Sequence, residues 1–302
     1  MLKNASGELG VVGKQICLLG ECPVWDAKRN VIIWVDILKG EIHEYSPGKK
    51  TQQTLHVNQM IGSIAICRDG NFVGAVQNGF VFIDRLTAEV KMIADPEAHL
   101  PNNRFNEGKC DPAGRFWAGT MALSEEGKAG SVYTLEDEWT IVKKIEEVTI
   151  SNGMAWSLDQ ETFFYIDSPT FAIVSYDYNK KTGHISNKKI VRHIPEEEGY
   201  PDGMTIDNEG MLWIAHWDGW QVTRWNPNSG EKLLGIQLPV ARVTSCTFGG
   251  EYLQDLYITS ARHGLSDTQL QKQPLAGSLF VLPGCGFKGI PAFEYQGDCL
   301  TR

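Results

Sequence analysis

One pattern recurs six times along the 302 residues and leaves few architectures open to the chain. A polar residue (Glu21, Ser63, Asn106, Asn152, Asp202 or Ser245) opens a strand-like run. Ten to thirteen positions later stands an apolar or aromatic residue flanked by strand formers: Trp34, Val73, Trp117, Tyr165, Trp213 or Tyr257. The second markers are 39, 44, 48, 48 and 44 residues apart. Self-similarity at this period marks radially repeated sheets, because each unit can bury its apolar face only against its neighbours. The repeats predict an all-β chain, a six-bladed β-propeller whose leading polar residues converge on one axis.

Within each copy the residues read as a hairpin. Turns such as Asp111-Pro-Ala-Gly114 and Asp207-Asn-Glu-Gly210 pair a capping Asp with a Gly that tolerates positive φ. Second strands are predicted over 31–36, 72–76, 115–119, 162–167, 211–216 and 256–259. A third strand opens at Gly40, Gly79, Gly130, Gly219 and Gly277, with Phe171 in that place in the fourth copy. From second marker to third strand the gap is six residues in four copies, thirteen in the third and twenty in the sixth. Antiparallel neighbours alternate direction, so the loop between strands two and three returns to the end where strand one begins. The insertions over 118–129 and 260–276 should therefore border the opening ringed by the leading residues. Their polar residues Ser124, Glu125, Glu126, Lys128, Asp267 and Gln269 match a hydroxylated ring better than an aryl ester.

No Pro/Ser-rich linker interrupts the repeats, so residues 1–302 are expected to form a single domain. A formal charge of −9, with no Lys/Arg run longer than a pair, weighs against nucleic acid or membrane as partners. The seven cysteines form an odd set without a Cys-x-x-Cys pair. Cys22, Cys67, Cys110 and Cys246 fall beside apolar strands, where buried thiols belong, which points to a reducing compartment. The N-terminal MLKNASGELG lacks the apolar segment of a signal peptide, and no run approaches eighteen apolar residues. A cytoplasmic protein, a monomer or weak homodimer, is expected. Gly284-Cys-Gly286-Phe-Lys-Gly289 fits a dinucleotide fingerprint in form only, since Ile-Pro-Ala-Phe follows where a helix is required. No serine-hydrolase elbow, zincin or P-loop motif is present.

A ring of Glu, Asn, Asn and Asp at a crowded axis needs partners, and two carboxylates alone repel. A divalent cation resolves both problems: Glu21 and Asp202 neutralise it and Asn152 adds a carbonyl oxygen. All candidate ligands are oxygen donors, which favours Ca²⁺, with Mg²⁺, Mn²⁺ or Zn²⁺ as alternatives. Three ligands leave coordination positions for water and substrate, as catalysis requires. Arg104 lies two residues before Asn106, so on an extended strand both face the same side and together would grip substrate hydroxyls or a developing oxyanion. Taken singly, each of these residues could instead cap a strand or turn. His216 reads as a structural histidine, and Asp111 and Asp207 as turn residues.

The motifs resemble those of the SMP-30/regucalcin, gluconolactonase and luciferin-regenerating enzyme family across essentially the whole chain. They are Gly20-Glu-Cys-Pro-Val-Trp25, Asn103-Arg-Phe-Asn-Glu-Gly-Lys109, Gly119-Thr-Met121, Ser151-Asn-Gly-Met-Ala-Trp156, Tyr165-Ile-Asp167, Pro201-Asp-Gly-Met-Thr-Ile-Asp207 and Thr244-Ser-Cys-Thr-Phe-Gly-Gly250. The resemblance implies a six-bladed propeller with one axial divalent cation on Glu21, Asn152 and Asp202. It also implies hydrolysis of a sugar lactone, a small-molecule substrate, with Asp202 as base and Arg104 and Asn106 contacting substrate. Two other readings share the scaffold: a hydrolase of another ester or organophosphate, and a non-enzymatic calcium-binding regulator.

Overall fold

A computed structural model describes residues 5–297. Six four-stranded antiparallel sheets stand around one axis, forming a six-bladed β-propeller. The first five blades each use four consecutive strands, the innermost being Gly20–Asp26, Ile61–Ile66, Asn103–Cys110, Ser151–Trp156 and Tyr200–Ile206. In the sixth, Val243–Gly249, Asp255–Ser260 and Leu279–Leu282 are completed on the outside by Gly10–Val12 from the start of the chain. The last blade thus combines a strand from the start of the chain with three from residues 243–282, so ring closure does not depend on packing alone.

The core lies between blades. Six buried apolar clusters fill the six blade-to-blade interfaces, for example Ile33, Val35 and Ile42 against Ile61, Ile64 and Phe72 between blades one and two. The second markers of the repeat, Trp34, Val73, Trp117, Tyr165, Trp213 and Tyr257, are all buried in these layers. Their period is therefore the period at which one sheet must seal against the next. The observed second strands, Val31–Asp36, Phe72–Val76, Phe116–Ala122, Thr162–Asp167, Leu212–Trp217 and Asp255–Ser260, fall where the hairpin reading places them. At the start of the third strands Gly79 takes φ +122°, and Phe171, which replaces glycine in the fourth copy, itself adopts φ +49°.

Two expectations need correction. Cys67 is disulfide-bonded and not a thiol, while Cys17, Cys22, Cys110, Cys246 and Cys285 are buried free cysteines. Tyr295 bridges to Cys67, so a segment distant in sequence runs beside it, a juxtaposition that spacing does not reveal; Cys299 lies outside the described residues. The second insertion is also not plain loop. It contains a helix, Asp267–Lys272, started by a reciprocal capping box between Ser266 and Gln269. One and a half turns are too short to leave a helical periodicity. Residues 283–289 are turn and loop with no helix, consistent with setting the dinucleotide fingerprint aside. Among the described residues no helix is long and apolar enough to cross a membrane.

Candidate active site at the propeller axis

In every blade the innermost strand pair slips register beside the leading residue. The slips fall between Glu21 and Val24, Ile61 and Ser63, Phe105 and Gly108, Ser151 and Met154, Pro201 and Met204, and Val243 and Ser245. A bulge sharpens strand twist and re-aims side chains. Here it turns the leading residues inward. Crowding at the axis is extreme: a Cβ on Gly153 would lie 2.8 Å from the Asp202 carbonyl oxygen, and one on Gly203 2.1 Å from Ser245 Oγ. Only glycine after Asn152 and Asp202 lets the inner strands come this close.

Four of the six leading residues, Glu21, Asn106, Asn152 and Asp202, line one cavity of about 380 Å³ together with Arg104. All five side chains are buried. Ser63 and Ser245 do not join them, which corrects the expectation of full convergence. Ser63 is packed against Gly108, and Ser245 faces a smaller cavity of about 60 Å³ further along the axis, shared with Cys22, Glu107 and Lys109. A serine is too short to bridge the difference.

The Asn106 amide is the hub. Its Oδ1 accepts from Arg104 Nη1 at 2.7 Å, and its Nδ2 donates to Ser151 O at 2.9 Å and Asn152 Oδ1 at 3.1 Å. Both N–H bonds are engaged, so Asn106 has only an oxygen lone pair to offer a ligand. In this arrangement Asn106 offers an acceptor to the cavity and Arg104 the donors. Asn152 Nδ2 donates to Ser168 Oγ at 2.8 Å, and Ser168 Oγ donates to Pro201 O at 2.6 Å. That chain fixes the Asn152 amide with its oxygen turned towards Asn106.

The acids are left in an uncomfortable state. Burial, and after it the Glu107 carboxylate, push the Glu21 carboxyl up to about 8. Burial, then Glu21 and Glu107, hold Asp202 well above the usual carboxylate range. Asp202 Oδ1 is buried without a hydrogen-bond partner, whereas Glu21 Oε2 accepts from Cys22 N at 2.9 Å. Burial lowers Arg104 to about 10, so it remains a cation at neutral pH. Among the described residues no three His, Cys, Asp or Glu side chains form a metal cluster by themselves, so an ion here would need an amide oxygen such as Asn152 Oδ1 to complete its ligands. Two buried, mutually repelling carboxylates, one with an orphaned oxygen, beside an amide oxygen fit a divalent cation.

Both insertions reach the opening, Met121 and Glu125 from the first and His263 from the second. Of the polar insertion residues proposed from sequence, Glu125 alone lines the cavity, and Gln269 is engaged in capping. Leu19, Ile150, Pro169, Tyr200 and Trp217 line it without having been singled out. Leu19, Ile150 and Tyr200 each precede a leading residue by two positions, the spacing that placed Arg104. His216 is structural: Nε2 lies 2.6 Å from Thr223 Oγ1 and Nδ1 3.0 Å from Glu198 O.

A six-bladed propeller with a buried acid and amide cluster at one axial mouth defines a broad class of proteins. Residues 19–262 match the family model described as SMP-30/Gluconolactonase/LRE-like region, and the chain belongs to that family. It is 40% identical to regucalcin of Gallus gallus over 298 residues, 97% of this chain and 100% of the relative. A luciferin-regenerating enzyme structure superposes with a TM-score of 0.91 at 31% identity, covering 96% of this chain and 100% of the other. The structure of a calcium-binding protein, regucalcin, from Agrobacterium tumefaciens also gives 0.91, at 27% identity, covering 97% and 98%.

Proposed function

We propose that this chain is a divalent-metal-dependent lactonase of the gluconolactonase type, with Glu21, Asn152 and Asp202 as metal ligands, Asp202 as base, and Arg104 and Asn106 as substrate contacts. The observation that carries the reading is the buried Asp202 oxygen with no partner beside a second buried carboxylate. Among the described residues, Arg104, Lys109 and the backbone amides of Cys22 and Gly203 are the groups that favour the charged forms of this pair, against burial and mutual repulsion. Family membership supports a lactonase-type or calcium-binding role, and the Agrobacterium tumefaciens relative is described as calcium-binding. Ca²⁺ heads the candidate cations.

A bound dication supplies positive charge that polarises an ester carbonyl and acidifies water. Asp202 accepts the proton of the attacking water at the oxygen that has no protein partner. Arg104 Nη1 is engaged by Asn106 Oδ1 and Phe105 O, which leaves Nε and Nη2 to hold ring oxygens or the developing negative charge. Asn106 Oδ1 accepts from a substrate hydroxyl while keeping Arg104 and Asn152 in place.

Protein stripped with chelator and assayed on D-glucono-1,5-lactone with Ca²⁺, Mn²⁺, Mg²⁺ or Zn²⁺ tests the reading. Turnover should vanish on stripping, return with at least one ion, and be abolished by Asp202→Asn. A non-enzymatic calcium-binding regulator would lose thermal stability on chelation and turn over no lactone with any ion.

A further inference from the structure

Glu21, Asn152 and Asp202 stand near the start of their innermost strands, and one segment late in the chain reaches the opposite ends of five such strands. In blade five Asn208 N donates to Lys288 O at 2.8 Å, and in blade six Gly289 N donates to Leu253 O at 2.8 Å. Lys28 of blade one pairs with Glu294 at 2.7 Å. In blade two Tyr295 N donates to Ile66 O at 2.8 Å, and in blade three Gln296 N donates to Gly114 O at 3.0 Å. Phe293 and Tyr295 pack with Cys67 and Cys110 in one apolar cluster. Ile290, Pro291, Ala292 and Phe293 line the axial cavity of about 60 Å³ that also holds Glu107, whose Oε2 is buried with no hydrogen-bond partner.

This segment is fastened covalently at one end. Cys67 is disulfide-bonded and bridges Tyr295, while Cys17, Cys22, Cys110, Cys246 and Cys285 are free, so the sulfur it bonds lies past Gly297. One disulfide beside five buried thiols is the pattern of a redox-responsive bond, not of a scaffold built on disulfides. We infer that residues 288–296 are a redox-latched strap across the end of the axis opposite Glu21, Asn152 and Asp202: the Cys67 bond holds it down, and reduction frees it from that end and admits solvent to the cavity at Glu107. A dithiol reductant supplies two electrons and two protons, converting the S–S bond to two protein thiols and closing to its own disulfide. Backbone hydrogen bonds and an exposed ion pair, which water replaces at little cost, then hold the Tyr295 end. The Gly289 end stays paired with blades five and six. The inference stands apart from the lactonase reading.

The test treats the full chain with dithiothreitol in native buffer, verifies cleavage of the bond by mass, and follows hydrogen exchange and iodoacetamide labelling. After reduction the amides of Tyr295 and Gln296 should exchange at least tenfold faster, and that of Gly289 less than threefold faster. Cys110, packed with the strap, should be alkylated at least tenfold faster, while Cys17, in the layer between blades six and one, keeps its rate. Oxidised glutathione should restore the original rates. Cys67→Ser should show the fast exchange without reductant, and reduction of the parent protein carries the test if that variant fails to fold. A bond that resists dithiothreitol in the folded protein overturns the inference. Unchanged Tyr295 exchange once the bond is cut also overturns it, because packing of Tyr295 would then hold the segment unaided. Equal gains at Cys17 and Cys110 overturn it as well, by showing that the bond stabilises the whole propeller and not the strap.

Discussion

Asp202 shows at the scale of one residue how the proposed function opposes stability. Its Oδ1 is buried with no partner, and burial with two neighbouring acids holds its carboxyl far up. Asp202→Asn removes the titrating group while keeping the shape. At pH 7 an unfolded Asp is ionised whereas the raised carboxyl of the folded protein must take up a proton, so the metal-stripped variant should be more stable than the stripped parent by at least about 1 kcal/mol, a gain that shrinks as pH falls towards 4. Urea unfolding of both stripped proteins measures it, and a destabilised variant would mean that the carboxylate has a stabilising partner. Two histidines predict the acid limb. Burial lowers both His43 and His216 to about 4, so each is neutral in the folded state. An unfolded histidine titrates near 6.5. Below that pH the unfolded chain takes up protons the folded chain refuses, so stability is fully present above pH ~6.5 and is lost as pH falls towards 4. The loss is on the order of 3 kcal/mol per histidine. His216→Gln should flatten the slope of unfolding free energy between pH 6.5 and 4, and an unchanged slope would exclude His216 as its source. Which residues form the site was partly legible. The two-residue spacing that put Arg104 beside Asn106 applies equally to Leu19, Ile150 and Tyr200. Apolar residues at those places read as strand interior, so these lining residues were missed while the polar ones were seen.

At the scale of the element, turn and strand are coupled by a repeated device. Asp111 Oδ1 accepts from the turn amides of Ala113 and Arg115, and its Oδ2 accepts from Trp117 Nε1 at 3.0 Å. Asp207 does the same with Glu209, Met211 and Trp213 Nε1 at 2.9 Å, and also binds Arg224 Nε at 2.7 Å. One carboxylate therefore shapes the turn and anchors the tryptophan that seals the blade interface, which is why Asp and Trp recur six residues apart in the third and fifth copies. The hairpins were legible because turn chemistry and strand periodicity agree locally. The Asp267–Lys272 helix was not, since its start rests on one capping box and no apolar stripe. Asp207→Ala leaves the Arg224 guanidinium and an indole N–H buried without their partner. It should cost about 3–5 kcal/mol. Glu209→Ala, which removes Arg224's half-exposed second partner, should cost less than about 1 kcal/mol. Chemical denaturation of the pair checks the contrast, and equal losses would show that the turn hydrogen bonds contribute little.

For the whole molecule the decisive contact is the one that brings the N-terminal strand onto the sixth blade. Six sheets sealed by apolar layers define a ring, but the ring opens wherever two neighbours are not otherwise connected. Blades six and one meet at Trp25, Ile32, Trp34, Tyr257 and Leu279, and Val12 of the closing strand is buried among them. Gly10–Val12 pairs antiparallel with Leu279–Val281 and so covers the edge of blade six. Three residues without a repeat partner carry no periodic signal, so spacing alone could not reveal the closure, although it revealed the blades. Because the strand both covers an edge and completes an interface, damage to it should be felt across the ring. Val12→Asp places an uncompensated charge in that layer at a cost of several kcal/mol. In a chain of this length that corresponds to a fall in Tm of roughly 5–10 °C. Val11→Asp alters the same strand at a position that is 44% exposed and should shift Tm by less than about 1 °C. Thermal unfolding of the two variants separates the contributions. Matching small shifts would mean that blades one and six hold together without the N-terminal strand, and matching large shifts that pairing along the edge, not burial of Val12, closes the ring.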